Sequence, residues 1–389
     1  MTLYTVYTDR HKLHATDHVL LEGCPFVVEE VPARAEIILG ALQAAGLGPL
    51  VEPADHGLAP ILAVHDPGFV DFLRQAYAES ARSEEAGPVF PWTFANRHVQ
   101  RKPKGTLGLR GYYAFGFGSP IMEGTWTAAY WSAQCALTAA GLVRAGQHTT
   151  YALCRPPGHH AAADLYGGFC YLNNAAIVAR CLQAGATVPI AILDVDYHHG
   201  NGTQIIFYSD PTVLYCSLHV HPDQDYPFYW GEAGERGEGP GAGTNCNWPL
   251  PKGTGDAAYL ATLDQALAAI RAFVPRYLVV SAGFDVAAGD PVGGFAISAA
   301  GFHEIGARIA ALDLPAVIVQ EGGYRLDRLG EDAVAFLRAF SPPSQGEGAR
   351  HSPLPPREGS DCPPLPPREG LGEGGSQLEE NEAWSNSPS

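Results

Sequence analysis

The segment AILDVDYHHGNGTQ (residues 191–204) sets two carboxylates and two imidazoles directly behind an apolar, β-branched run. Residues two apart on a strand share a face, so Asp196 and His198 are expected to offer a carboxylate and an imidazole to one point. That is half of a metal site. Asp194 has the same parity one step deeper, where a carboxylate needs a histidine or a bound cation to offset the cost of burial. Asp285, in SAGFD, supplies a second carboxylate from another strand end. Asp, His and Asp make three ligands with an open position, the arrangement that lets a divalent metal activate water. A donor set of oxygen and nitrogen without sulfur favours zinc and leaves iron and cobalt open.

The tandem His159 and His160 follow RPPG, whose prolines stiffen the turn that presents them. Two imidazoles beside a metal-activated water can divide base and acid roles if their second nitrogens meet different partners. Asp194 would make its histidine more basic, and Asn201 would leave the other nearer neutral and able to accept a proton. Tyr324, in EGGYR, adds a phenol that could donate to the oxyanion of a tetrahedral intermediate. Singly, each of these residue types is more often structural, and the nearby Cys154 and Cys170 read as core thiols. Their joint occurrence at several strand ends is what packing does not explain.

The elements that must position them follow from composition. Short β-branched runs are expected as strands at 149–154, 190–196, 212–218, 277–283 and 316–322, alternating with alanine-rich helices near 33–45, 125–145, 174–184, 257–272 and 298–312. Continuous apolar strands separated by helices imply an α/β fold whose parallel sheet is covered on both faces, with ligands at the carboxyl ends of the strands. Four of these runs lead straight into RPPGHH, DYHHGNG, GFDVAAGDP and EGGYR. The 389-residue chain carries a formal charge of −17, which argues against nucleic acid as a ligand. It has no apolar run of membrane-spanning length and no basic-then-apolar leader. Its eight cysteines are scattered without a CxxC pair, so reduced thiols and a cytoplasmic address are expected. From Ser341 the composition turns to Pro, Gly, Ser and Glu, with PLPPREG at Pro353 and again at Pro364, so residues 341–389 are expected to be a disordered tail without a packed core.

The motifs RPPGHH, DVDYHHGNGT, GFD followed by GDP, and EGGY, in that order, resemble the zinc-dependent histone deacetylase superfamily over roughly residues 3–340. DRHKLH, PARAEIIL, CRPPGHHAAAD, YGGFCYLNNAA and GYYAFGFGSPIMEGTW resemble its bacterial acetylpolyamine amidohydrolase branch. The resemblance implies an arginase/deacetylase fold in one domain (residues 1–340), with a central parallel sheet of about eight strands and helices on both faces. It implies zinc on Asp196, His198 and Asp285, a general base at His160, an electrostatic histidine at His159 and a transition-state tyrosine at Tyr324, with Asp194 and Asn201 supporting the histidines. Gly168 and Phe169, with Tyr226, would wall the acyl-chain tunnel. One potassium ion would be held by Asp194, Ser217 and Leu218 with main-chain oxygens of Asp196 and His198, and a second by Phe207, Asp210 and Val213. The insertion at 80–124 would close over a neighbouring subunit, implying a homodimer with a narrow channel suited to slim acetylated amines.

Two departures bear on substrate. Where the polyamine branch places acids in this insertion, the aligned residues are Leu107 and Gly118, leaving Glu123 as the nearest substitute, and the wording SAGFDVAAGDP leans toward lysine deacetylases. The expectation is a zinc amidohydrolase that removes acetyl or a short acyl group from a primary-amine nitrogen, acting on an acetylpolyamine or another small acetylated amine. The alternatives are an acetyl-lysine peptide deacetylase, an arginase-like binuclear hydrolase recruiting Asp290, and a non-catalytic acyl-amine binder.

Overall fold

All five β-branched runs form strands, and three further strands complete the sheet. The computed structural model describes residues 2–16, 20–21, 24–82, 87–96, 98 and 101–341, so part of the 80–124 insertion and the tail beyond Ser341 lie outside the described residues. In chain order the strands are β1 (Tyr4–Val6), β2 (Leu20–Leu21), β3 (Cys24–Pro25), β4 (Leu50–Val51), β5 (Thr149–Ala152), β6 (Ile190–Asp194), β7 (Val213–Val220), β8 (Asn245–Leu250), β9 (Tyr277–Ala282) and β10 (Ala316–Gln320). Apart from the antiparallel pair β2 and β3, they form one eight-stranded parallel sheet in the order β4-β1-β5-β10-β9-β6-β7-β8.

Alternation along the strands builds two cores. In β6, Ile190 and Ile192 face one helical layer and Ala191 and Leu193 the other; Val317 and Val319 of β10 divide from Ala316 and Ile318 in the same way. The first layer holds α3 (Pro67–Ala81), α5 (Thr125–Arg144), α6 (Asn174–Leu182) and α7 (Asn201–Phe207), and the second α1 (Ala33–Ala44), α8 (Asp256–Phe273), α9 (Ala299–Ala310) and α10 (Leu326–Leu337). The remaining helices are the short α2 (Ala59–Leu62) and α4 (Thr106–Tyr112). Each fully buried Val, Ile or Leu contributes about 1.5–3 kcal/mol, so a strand buried on both faces stays apolar to its end. Among the described residues no helix is long and apolar enough to cross a membrane.

The fold brings the motifs together simply. The strands that precede RPPGHH, DYHHGNG, GFD and EGGY are β5, β6, β9 and β10, four consecutive neighbours in the middle of the sheet.

Candidate active site

Parallel pairing fixes the depth of each motif. β6 ends at Asp194, so Asp196 and His198 lie in a bend beyond the strand and not on it. They converge for a different reason than strand parity: Asp194 Oδ1 accepts the amide of Asp196 at 3.2 Å, and Asp196 Oδ1 accepts the amide of His198 at 2.9 Å. Each aspartate thus turns the chain onto itself by bonding the amide two residues on. His198 Nδ1 lies 3.3 Å from Asp196 Oδ1 and 3.0 Å from Asp285 Oδ2. Ligand atoms of Asp196, His198 and Asp285 all fall within 4.8 Å of one another, and all three residues are buried.

The backbone is shaped around these carboxylates. Gly322 donates its amide to Asp196 Oδ2 at 2.8 Å, and a side chain at this position would collide with Asp196 and Asp285 alike. Burial and then repulsion from Asp196 push Asp285 up to about 7. Two buried carboxylates around one imidazole create a demand for positive charge that a dication meets, and the oxygen and nitrogen donors suit zinc. The residues therefore fit the metal.

The adjacent histidines have opposite surroundings. His159 Nδ1 is 3.0 Å from Asp194 Oδ2, which also accepts the Tyr215 hydroxyl at 3.0 Å. Burial opposes a charge on His159, but the carboxylates of Asp196 and Asp194 outweigh it and hold the ring up at about 10. His160 Nδ1 is 2.7 Å from Asn201 Oδ1, at the start of α7. Burial, then the neighbouring His159 and His198, push His160 well below the usual imidazole range. A ring that donates Nδ1–H to an amide oxygen and stays neutral presents Nε2 as a proton acceptor.

Tyr324 is 7% exposed, and burial raises its phenol well above the usual range, so it remains a donor. Three groups that sequence reasoning did not assign hold its loop. Arg34, from α1, donates to the carbonyls of Gly323 at 2.5 Å and Glu321 at 2.7 Å, with its guanidinium 4.5 Å over the Tyr324 ring. Arg34 is in turn paired with the buried Glu30 at 2.8 Å, which also binds Arg155 at 2.9 Å. Glu321 accepts the amides of Gly158 at 2.6 Å and His159 at 3.1 Å, joining the tyrosine loop to the histidine turn. The glutamate of EGGY was visible as part of a motif; nothing local to PARAEIIL signalled Arg34.

Asp290 is not a second metal ligand. Its Oδ2 accepts the amides of Tyr324 at 2.7 Å and Arg325 at 2.9 Å, and its Oδ1 those of Val292 at 2.9 Å and Gly293 at 3.1 Å, so both oxygens brace the tyrosine loop. The binuclear alternative loses its second carboxylate on that ground. Cys154 and Cys170 are buried thiols that burial pushes far up, and both donate to carbonyls, as core cysteines do.

A cavity of about 350 Å³ opens onto these groups, lined by His160, His198 and Tyr324 together with the rings of Phe117, Phe169 and Tyr226. Gly168 also lines it; its φ is 57°, and a Cβ there would run into the His160 ring. The Tyr226 ring stands perpendicular to His160 at 5.0 Å between centroids and stacks on Phe115 at 6.0 Å. Gly118 lines the cavity, but Glu123 is exposed and absent from the lining, and Leu107 is 60% exposed on α4. The expected counter-charge at Glu123 is thus not in the cavity wall, because Ile121 is tied to Val89 in a short bridge and the chain then turns into α5.

Comparison with known proteins supplies the kinship. The model of the histone deacetylase domain matches residues 28–340. The chain is 42% identical over 341 residues to acetylpolyamine amidohydrolase 1 of Pseudomonas aeruginosa, covering 87% of this chain and 99% of that one. It is 44% identical to the acetylpolyamine amidohydrolase of Burkholderia pseudomallei, covering 87% and 98% of the two chains. The chain belongs to the histone deacetylase family. The crystal structure of the acetylpolyamine aminohydrolase from Burkholderia pseudomallei superimposes with a TM-score of 0.83 at 42% identity, over 87% of this chain and 99% of that chain.

The potassium positions implied by the family resemblance differ in character here. Asp194 and Ser217 are register partners on β6 and β7, with Leu218 next along, all buried beside the metal cradle. At the other position, Asp210 is already paired with Arg180 at 2.7 Å and accepts the Thr212 amide at 2.8 Å, near Phe207 and Val213. Arg180 supplies at that position the positive charge a cation would bring.

Proposed function

We propose that this chain hydrolyses the acetyl amide of acetylpolyamines or other small acetylated amines, releasing acetate and a primary amine. The carrying observation is the convergence on one cavity of a buried Asp–His–Asp cradle, a neutral His160 and a protonated Tyr324. Relatives named acetylpolyamine amidohydrolases at 42% and 44% identity over most of the chain support the substrate class.

Asp196, His198 and Asp285 would hold zinc, which when bound supplies a Lewis acid for the amide carbonyl and lowers the pKa of water. His160 takes the proton of the attacking water at Nε2, its ring held by the bond to Asn201. Tyr324 donates its hydroxyl hydrogen to the oxygen that gains charge as the carbonyl becomes tetrahedral. His159, kept charged by Asp196 and Asp194, places a positive field beside that oxyanion, and a histidine of the pair returns a proton to the leaving nitrogen. Asp194, Ser217 and Leu218 would hold a potassium ion with the main-chain oxygens of Asp196 and His198, answering the charge buried under the cradle.

The described cysteines are free thiols, which suits a reducing, cytoplasmic setting. Trp92, 68% exposed, Leu107, 60% exposed, and Tyr229, 83% exposed, are large apolar side chains at the surface that a second subunit of a homodimer would cover. Absence of Glu123 from the cavity favours, as a second reading, an acetyl-lysine peptide substrate. The test is turnover by zinc-loaded protein of N-acetylputrescine and N-acetylspermidine against an acetyl-lysine peptide, with Tyr324→Phe as control. Preference for the peptide transfers the protein to the second reading, and zinc-loaded protein inert on all three substrates favours the binding-protein reading.

A further inference from the structure

Among the described residues, one carboxylate outside the metal cradle lines the cavity, and it is Asp225. Its position is set from two sides. Oδ1 accepts the amide of Tyr226 at 2.9 Å, the residue whose ring stands against His160. Oδ2 accepts the Tyr197 hydroxyl at 2.9 Å, while the amide of the same Tyr197 donates to Asp285 Oδ1 at 2.9 Å. A single residue therefore spans from the metal cradle to Asp225 and fixes the spacing between the reacting end of a substrate and this carboxylate.

Asp225 is ionised: burial opposes its charge, but Lys252, the Tyr226 amide and the Tyr197 hydroxyl outweigh burial and lower its pKa. Lys252 Nζ lies 2.8 Å from Oδ2, with side-chain exposures of 49% for the lysine and 26% for the aspartate. A half-exposed pair of this kind contributes little to stability and exchanges partners readily. A carboxylate offers about four acceptor positions, and these contacts use three, leaving one on Oδ1 among the described residues.

We infer that Asp225 receives the distal ammonium of an acetylated diamine whose amide lies at the cradle, and that Lys252 competes with that ammonium for the same carboxylate. The inference rests on the amidohydrolase reading above and specifies what that site selects. It makes Asp225 the counter-charge that Glu123 does not provide, and it makes Lys252 a brake on affinity for cations.

The test compares two substrates of equal length on zinc-loaded full chain: N-acetylputrescine, and N-pentylacetamide, which carries a methyl group where the diamine carries its ammonium. The readout is the ratio of their kcat/KM values. The wild-type ratio should exceed one, Asp225→Asn should lower it about tenfold, chiefly through KM of the charged substrate, and Lys252→Met should raise it severalfold by removing the competing cation. Lys252→Met leaves the Tyr197 and Tyr226 contacts in place, so the inference remains testable if Asp225→Asn folds poorly. Equal loss on both substrates in Asp225→Asn, or an unchanged ratio in Lys252→Met, reduces Asp225 to a loop support and overturns the inference. A wild-type ratio near one with active enzyme also overturns it and leaves the amidohydrolase reading standing. Failure to hydrolyse either substrate overturns both.

Discussion

The floor of the cavity and its wall are built by opposite strategies. On the floor, carboxylates and imidazoles sit at the ends of four adjacent strands, and almost every polar atom has a partner fixed by the main chain: Gly322 on Asp196, Tyr197 on Asp285, Glu321 on the His159 turn. On the wall, Phe117 is 37% exposed, and Tyr226, whose hydroxyl is buried without a partner among the described residues, is held chiefly by ring packing. The floor tolerates no displacement because chemistry needs charge at a fixed point. Apart from Asp225, the wall can vary because it only has to exclude water and guide a chain.

That contrast can be broken most severely on the floor. Asp285→Asn should abolish zinc retention, read by metal analysis, and cut activity on the order of 10³-fold or more. The metal-free variant should melt higher than metal-free wild type, because repulsion with Asp196 is relieved; a lower Tm would contradict the charge-crowding account. Tyr324→Phe should lower kcat by about 10²–10³-fold with zinc content and KM held, since only the oxyanion donor is lost. Arg34→Met, which frees the Gly323 and Glu321 carbonyls, should cost about 10–100-fold in kcat, a smaller effect because Tyr324 itself remains. On the wall, Phe117→Ala should change KM severalfold and leave kcat nearly untouched; a fall in kcat like that of Tyr324→Phe would erase the distinction between the two regions.

The smallest effect concerns the layers beneath. His65, whose Nε2 accepts the Asn173 amide at 2.9 Å, and His219 are both held down at about 4 by burial. Unfolded imidazole titrates near 6.5, so between about pH 6.5 and 4 the unfolded chain binds protons that the folded one refuses. Stability is therefore full above pH 6.5 and lost as pH falls toward 4. Thermal melts across this window should show Tm dropping by several degrees or more, with a shallower drop in His65→Gln.

The sequence disclosed the floor better than the wall for a physical reason. Long, doubly buried strands such as 277–282 and 316–320 must be continuous apolar runs, and their ends are conspicuous when charge follows. Edge strand β8, NCNWPL, alternates with polar residues and was not anticipated; β1 and β4 are too short to show a period. Helix α10 was missed because LDRLGEDAVAFL carries glycine and charges inside its period. Strand parity places Asp196 and His198 side by side, and they do lie 3.3 Å apart, although the strand stops before them and side-chain to amide bonds perform the turn. Glu123 misled because nearness in sequence to Gly118 does not carry a residue into the same wall. Asp225 was invisible because its role depends on Tyr197 and Lys252, which only the fold brings near it.

Strand β10, the last strand among the described residues, lies between β5 and β9 in the sheet. Without it the strand order divides into two halves that do not pair with each other, one leading to His159 and His160, the other to Asp196, His198 and Asp285. The proton-handling pair and the metal-holding trio belong to different halves, and the segment that zips them together also delivers Tyr324. A chain without that segment therefore lacks both Tyr324 and the strand that joins the two halves.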